Sequence, residues 1–218
     1  PTVELDRSSG TKDAHTIMVD NIGGSREAVQ HLTALGHKRI GMIFGSMDIS
    51  TSVERLQGYR EALEGAGIAY REDLALPGNH REEGGRVAAH TLLSRPAHQR
   101  PTALFVGNNE MTIGALLAAR ELELRIPTDL SIVGFDDSRW AKLMQPAITV
   151  VAQPAYELAY NLHEARLNRT TTYLTRASSL IRSNLTKEVS LESSTHTAPV
   201  RYSPSPHFQG VSPCVKQL

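Results

Sequence analysis

Apolar residues in this chain alternate between two spacings. Short unbroken runs at Arg39–Phe44, Thr102–Val106, Leu130–Phe135 and Ala147–Ala152 are bounded by Gly, Pro, Asn or Asp. Such runs fit strands covered on both faces. Between them, apolar positions recur every three or four residues. Ala28, Val29, Leu32 and Leu35 define a helix over about Gly24–Leu35, entered through a break at Asp20–Gly24, and Val53, Leu56, Tyr59, Leu63 and Ala66 define another over Ser52–Gly65. Glu82–Ser94 and about Glu110–Glu123 read as two more helices. Gly36 stands where a helix stop belongs, with His37, Lys38 and Arg39 near the negative end of the dipole. Shorter strands are expected at Pro1–Asp6, His15–Asp20 and Asp73–Leu76. A short helix is expected at Ser138–Met144, stopped by Pro146, and a longer one from Pro154 to about Leu167. Strand, helix and strand in succession make parallel, right-handed βαβ units. The pattern therefore predicts an α/β fold, a parallel sheet flanked by helices.

After Leu167 the pattern fades. Asn168–Arg176 is threonine-rich and weakly patterned, Ser178–Glu192 has room for one strand, and Ser193–Leu218 is rich in Ser, Pro and His and reads as disordered. The 218 residues suit one or two domains, with 40% hydrophobic and 21% charged residues, ordinary for a globular chain. Lys+Arg and Asp+Glu both number 23, so no excess charge draws the chain to nucleic acid or to an anionic membrane. The single cysteine, Cys214, excludes an intramolecular disulfide and a cysteine-rich metal site. No apolar run approaches the roughly 18 residues a membrane span needs, and PTVELDRSSG lacks the features of a signal peptide. A cytoplasmic protein without a membrane partner is expected. Its first residue is not Met, which points to a piece of something longer.

Candidate chemistry collects at the strand ends. After Phe44 come Thr51 and Arg55, after Leu76 come Asn79 and His80, after Val106 come Asn108 and Asn109, and after Phe135 come Asp136 and Asp137. If the strands are parallel, these groups share one sheet edge, where open α/β sheets bind ligands. Carboxylate, amide and guanidinium groups together suit the hydroxyls of a small polar ligand such as a sugar. Each group also has a plainer reading. Arg55 can be an exposed charge, Asn108 or Asn109 and Asp136 or Asp137 can be helix caps, and His80 a surface histidine. The chain has no G-x-S-x-G, H-E-x-x-H or G-x-x-x-x-G-K-[ST] motif and no G-x-G-x-x-G after a strand. Binding is favoured over catalysis, with no cofactor and no metal expected.

Four segments, VDN…HLTALGHKRIGMIFG, ERLQGYREALEGAGI, RPTALFVGNNEMTIGALLAARELELRIPTDLSIVGFDD and QPAITVVAQPAYELA, resemble in order and spacing the effector-binding core of lactose-repressor-type (LacI/GalR) bacterial transcription regulators. The resemblance covers about Pro1–Leu167. It implies a periplasmic-binding-protein-like fold of two Rossmann-like subdomains with a small-molecule effector, often a sugar, in the cleft between them. It also implies a homodimer, and DNA binding only through a headpiece that this chain lacks. On that reading residues 1–20 are a remnant of the N-terminal subdomain and 21–146 a nearly complete C-terminal subdomain. Residues 147–192 are a crossover and return segment, and 193–218 a disordered tail. Carried over by motif, Arg55, Thr51, Asn108 and Asp136 fall at effector-contact positions. His80 takes the place of a stacking aromatic, and Asp20 is a weaker candidate at the crossover. Asn109 replaces the usual aspartate of an Asn-Asp pair. Glu123 stands where a helix-ending glycine is usual, so a left-handed residue there would cost about 1 kcal/mol. Two other readings share parts of the pattern: a solute-binding protein serving a transporter, and a Rossmann-type enzyme, which would need a phosphate-binding glycine loop.

Overall fold

The strands form two sheets, the smaller all parallel and the larger parallel except for its last strand. A computed structural model describes residues 2–6, 14–153, 172–175 and 180–181, all within the unit Pro1–Glu188. The smaller sheet contains β1 (Thr2–Leu5), β2 (Ala14–Val19) and β8 (Thr172–Thr175), in the order β1-β2-β8, both pairs parallel. The larger sheet contains β3 (Ile40–Phe44), β4 (Ala75–Pro77), β5 (Ala103–Val106), β6 (Ser131–Phe135), β7 (Thr149–Val151) and β9 (Leu180–Ile181). Its order is β4-β3-β5-β6-β7-β9, and only β9 is antiparallel to its neighbour.

The strand runs are continuous because both faces are covered. Met42, Phe105, Val133 and Phe135 point to one side and pack with Ala28, Val29 and Leu32 of α1 (Asn21–Ala34) and Leu56, Tyr59, Ala62 and Leu63 of α2 (Ser50–Gly65). Ile43, Leu104, Val106 and Ile132 point to the other side, against α3 (Glu82–Leu93) and α4 (Asn109–Glu121). The period of two along each strand thus sorts the core into two layers. The helices of each pair approach closely. A Cβ at Gly58 would collide with the carbonyl of Ile22, and one at Gly114 with the carbonyl of Glu82.

Within the described residues the expected elements are present with shifted bounds. α1 begins three residues before Gly24, because the Asp20 carboxylate caps it by accepting from the Gly23 amide at 2.7 Å. A side chain at Gly23 would occupy the space the capping carboxylate needs. The segment from Asp73 divides into a 3₁₀ turn, Glu72–Leu74, and the short β4. Arg71 and Arg95 both hold Asp73 in that turn. The threonine-rich segment, read as weakly patterned, supplies β8, which pairs with β2 in the register Thr16↔Thr172 to Val19↔Thr175. The short helix near Ser138 is α5 (Arg139–Leu143). The helix expected from Pro154 and the disordered tail expected from Ser193 lie outside the described residues.

Three helices stop in the same way. The residue after the cap turns left-handed, and the next amide reaches back to a carbonyl of the last turn: Gly36 (φ 84) after α1, Gly67 (φ 67) after α2 and Glu123 (φ 54) after α4. The expected left-handed glutamate is there. His37 does more than sit near the end of the α1 dipole. It is 3% exposed, and its two ring nitrogens bond Thr102 Oγ1 at 2.9 Å and Ser131 Oγ at 3.0 Å, tying together the starts of β3, β5 and β6.

Candidate functional site

Because β4, β3, β5 and β6 are parallel, the residues that follow them share one edge of the larger sheet. α2 leaves that edge after β3 and delivers Arg55 one turn along. Arg55 is not an exposed charge: it is 5% exposed. Its Nε donates to Asn21 Oδ1 at 2.8 Å, its Nη1 donates to the Gly107 carbonyl at 2.6 Å, and its guanidinium lies 3.7 Å over the Phe135 ring. A buried cation needs such partners, since an uncompensated one would cost several kcal/mol; the ring adds a cation–π contribution of about 1–2 kcal/mol. Thr51 is buried one helical turn earlier, at i−4, on the same helix face as Arg55.

β4 exits through a tight turn, closed by the Arg81 amide donating to the Gly78 carbonyl at 3.1 Å, with Asn79 (φ 52) and His80 (φ 58) both left-handed. That conformation turns the His80 ring inward, where Nε2 lies 3.0 Å from Ser52 Oγ. Gly45 leaves room for the ring; any Cβ there would overlap it. His80 is therefore half-buried and partnered rather than a loose surface histidine.

β5 exits into Asn108, which caps α4: its Oδ1 accepts from the Met111 amide at 2.9 Å, and its Nδ2 makes a long 3.5 Å bond to the His80 carbonyl. Asn109 lies inside the helix. Its amide donates to Asp136 Oδ2 at 3.3 Å, and its Oδ1 accepts from the indole N–H of Trp140 at 2.7 Å. β6 exits into Asp136, which is left-handed (φ 86) and half-buried, with Gln153 Nε2 donating to its Oδ1. Asp137 does not cap α5. Ser138 precedes that helix, while Asp137 Oδ2 accepts from Lys142 Nζ at 2.9 Å. Asp20 serves as the α1 cap described above, one residue before Asn21.

Arg55, Thr51, His80, Asn108 and Asp136 thus lie along one strand-end edge, and Asp20 borders it through Asn21. Sequence reasoning did not single out Asn21, Gln153 or Trp140, whose roles depend on pairings 17 to 34 residues apart, or Phe135, whose partner Arg55 is farther away still. It also passed over Asp6, which ends β1 in a left-handed conformation (φ 65), as Asp136 ends β6. The parallel between PTVEL-Asp and SIVGF-Asp was the available signal. Among the described residues, no group of three or more His, Cys, Asp or Glu is placed to hold a metal ion, and no helix is long and apolar enough to cross a membrane.

Residues 29–180 match the periplasmic binding protein-like domain family. Over 170 residues the chain is 38% identical to the HTH-type transcriptional repressor PurR of Proteus mirabilis, covering 78% of this chain and 49% of that one. Over 153 residues it is 39% identical to the HTH-type transcriptional regulator CelR of Thermobifida fusca, covering 70% and 44%. Among solved structures, a LacI-family regulatory protein from Chloroflexus aggregans is similar with a TM-score of 0.75 at 34% identity, over 84% of this chain and 67% of that one. A transcriptional regulator CelR–cellobiose complex is similar with a TM-score of 0.73 at 36% identity, over 84% and 58%. The chain spans about half the length of the curated relatives it matches.

Proposed function

Since this chain belongs to the LacI-type regulators of the periplasmic binding protein-like family, we propose that it is the effector-binding core of such a regulator. Its effector would be a sugar or related polar metabolite, held at the edge that carries Arg55, Thr51, His80, Asn108 and Asp136. The observation that carries this reading is the pairing, on one sheet edge, of a buried, doubly anchored guanidinium with a half-buried carboxylate on a left-handed backbone. A fixed donor and a fixed acceptor are what a polyhydroxylated ligand needs. The relatives named above are regulators, which favours this reading over a solute-binding protein serving a transporter. Catalysis gains no support from the Ser52–His80 contact, because Ser131–His37 and Ser94–His90 repeat it away from the edge.

A partner surface fits the same reading. α4 and α5 border an apolar groove of about 780 Å³ lined by Leu116, Leu117, Leu124, Trp140, Met144 and Ile148. Met144 is 41% exposed, and Leu143 next to it 81%. A second copy of the chain is the proposed occupant, DNA would be reached only through a headpiece, and the setting would be the cytoplasm. Isothermal calorimetry with a panel of mono- and disaccharides and nucleobases tests the site. A saturable heat that disappears in Asp136→Ala is expected; a folded chain that binds none of them would sink the proposal.

A further inference from the structure

Arg55 is held by a side chain that the effector reading leaves without a role. Asn21 is 1% exposed, so water cannot stand in for its partners. Both of its amide hydrogens and its oxygen are engaged: Oδ1 accepts from Arg55 Nε at 2.8 Å, while Nδ2 donates to Glu54 Oε2 at 2.8 Å and to the Val19 carbonyl at 3.2 Å. The amide has one workable orientation, because turning it over would set an NH₂ against the guanidinium and an oxygen against a carboxylate. A planar guanidinium bonded at Nε and at Nη1, with a ring 3.7 Å beneath it, has its plane and its rotation both fixed. Of those three restraints, Gly107 belongs to the end of β5 and Phe135 to β6. Asn21 alone of the three reaches Val19, the last residue of β2 in the smaller sheet.

We propose that Asn21 is the positioning residue for Arg55: it sets the direction in which the guanidinium faces the strand-end edge and ties that direction to the end of β2. The proposal rests on the effector reading for its functional meaning. It explains why the position carries an amide. Leucine would fill the volume but give Arg55 no acceptor. Aspartate would give the acceptor but set a second carboxylate against Glu54. A shift of β2 relative to the larger sheet would reach Arg55 through Asn21, so Arg55 can respond to the strand that leads into α1.

The test uses the full chain with ¹⁵N-labelled arginine. The Arg55 Nε–H signal is assigned by its loss in Arg55→Lys. It is expected to exchange with solvent at least about tenfold more slowly than those of exposed arginines. Asn21→Leu is expected to remove most of that protection and to shift the signal. Asn21→Asp alone is expected to disturb it, and the double variant Asn21→Asp with Glu54→Gln to restore it in part: the glutamine amide supplies a donor to the new carboxylate, while the bond to the Val19 carbonyl stays lost. Calorimetry with cellobiose and D-ribose follows the same variants. Affinity for a sugar that binds is expected to fall about tenfold or more in Asn21→Leu and to recover in part in the double variant. Unchanged exchange in Asn21→Leu, or no recovery in the double variant, would overturn the positioning role and leave the effector reading standing. If Asn21→Leu does not fold, the Asn21→Asp pair of variants decides by itself. No sugar binding to wild type, with the exchange pattern as expected, would overturn the effector reading and leave the positioning of Arg55 intact.

Discussion

The two ends of the larger sheet treat buried polar groups in opposite ways. At the end where the strands begin, His37 bonds two hydroxyls on ordinary backbone, and its three strands are pinned together with nothing directed outward. At the end where they finish, Asn79, His80 and Asp136 adopt left-handed backbone, and a guanidinium and a carboxylate are each held by several partners. Left-handed non-glycine residues cost on the order of 1 kcal/mol or more, and persist where the surroundings impose them. Among the described residues, the one such residue near the beginning end, Glu123, has a local cause: it closes α4 in the way that Gly36 closes α1. Buried polarity alone therefore does not mark a site; the proposed one adds half-buried polar groups, His80 and Asp136, on costly backbone.

Substitutions at the two ends are expected to separate stability from binding. The largest effect belongs to Asp136→Gly, expected to weaken sugar binding about 100-fold or more while the unfolding free energy changes by less than about 1 kcal/mol. The relieved backbone offsets the lost bonds to Gln153 and Asn109. Calorimetry and urea titration read the two quantities, and retained binding would remove Asp136 from the site. His37→Leu is expected to do the reverse. Two hydroxyls lose their partner, unfolding becomes easier by about 2–3 kcal/mol, and the affinity for sugar stays put; an affinity change would show that the two ends are coupled. Glu123→Gly is expected to raise stability by about 1 kcal/mol, because glycine accepts φ 54 without strain. A loss there would mean that the glutamate side chain offsets its own backbone.

The smallest effect is a pH dependence. Arg125 donates from its guanidinium and its backbone amide to Asp129, and holds that carboxyl down at about 2. A depressed carboxyl stabilises the fold above its ordinary value of about 4. That contribution is lost as pH falls through about 2. Because the pair lies at the surface, the expected change is a shallow one, seen as a flatter acid limb of melting temperature in Asp129→Asn. An unchanged limb would show that the bridge contributes nothing to the fold.

Much of this architecture is legible in the sequence, for identifiable reasons. RIGMIF and ALFV are unbroken because helices cover both faces of their strands, and burial of that kind leaves a plain signature. The spacing of polar residues after each strand places Arg55, His80, Asn108 and Asp136 on one edge as soon as the strands are taken as parallel. What hides is whatever depends on a distant partner. β8 is a four-residue strand without an apolar period, and its partner β2 lies far earlier in the chain. His37 reads as a helix-end charge because Thr102 and Ser131 lie far along the chain. Asn21 reads as part of a helix entry because nothing local announces Arg55 as its partner.

The bond between Trp140 and Asn109 gives the molecule an optical property. Trp140 is the chain's single tryptophan, so all of its indole fluorescence comes from one place. That indole lines the apolar groove, while its N–H is held by a residue whose amide holds Asp136. Emission from one unlabelled fluorophore is therefore expected to move when the carboxylate is engaged, and to move differently when the groove is covered. Wavelength and intensity together would follow both events in a single cuvette.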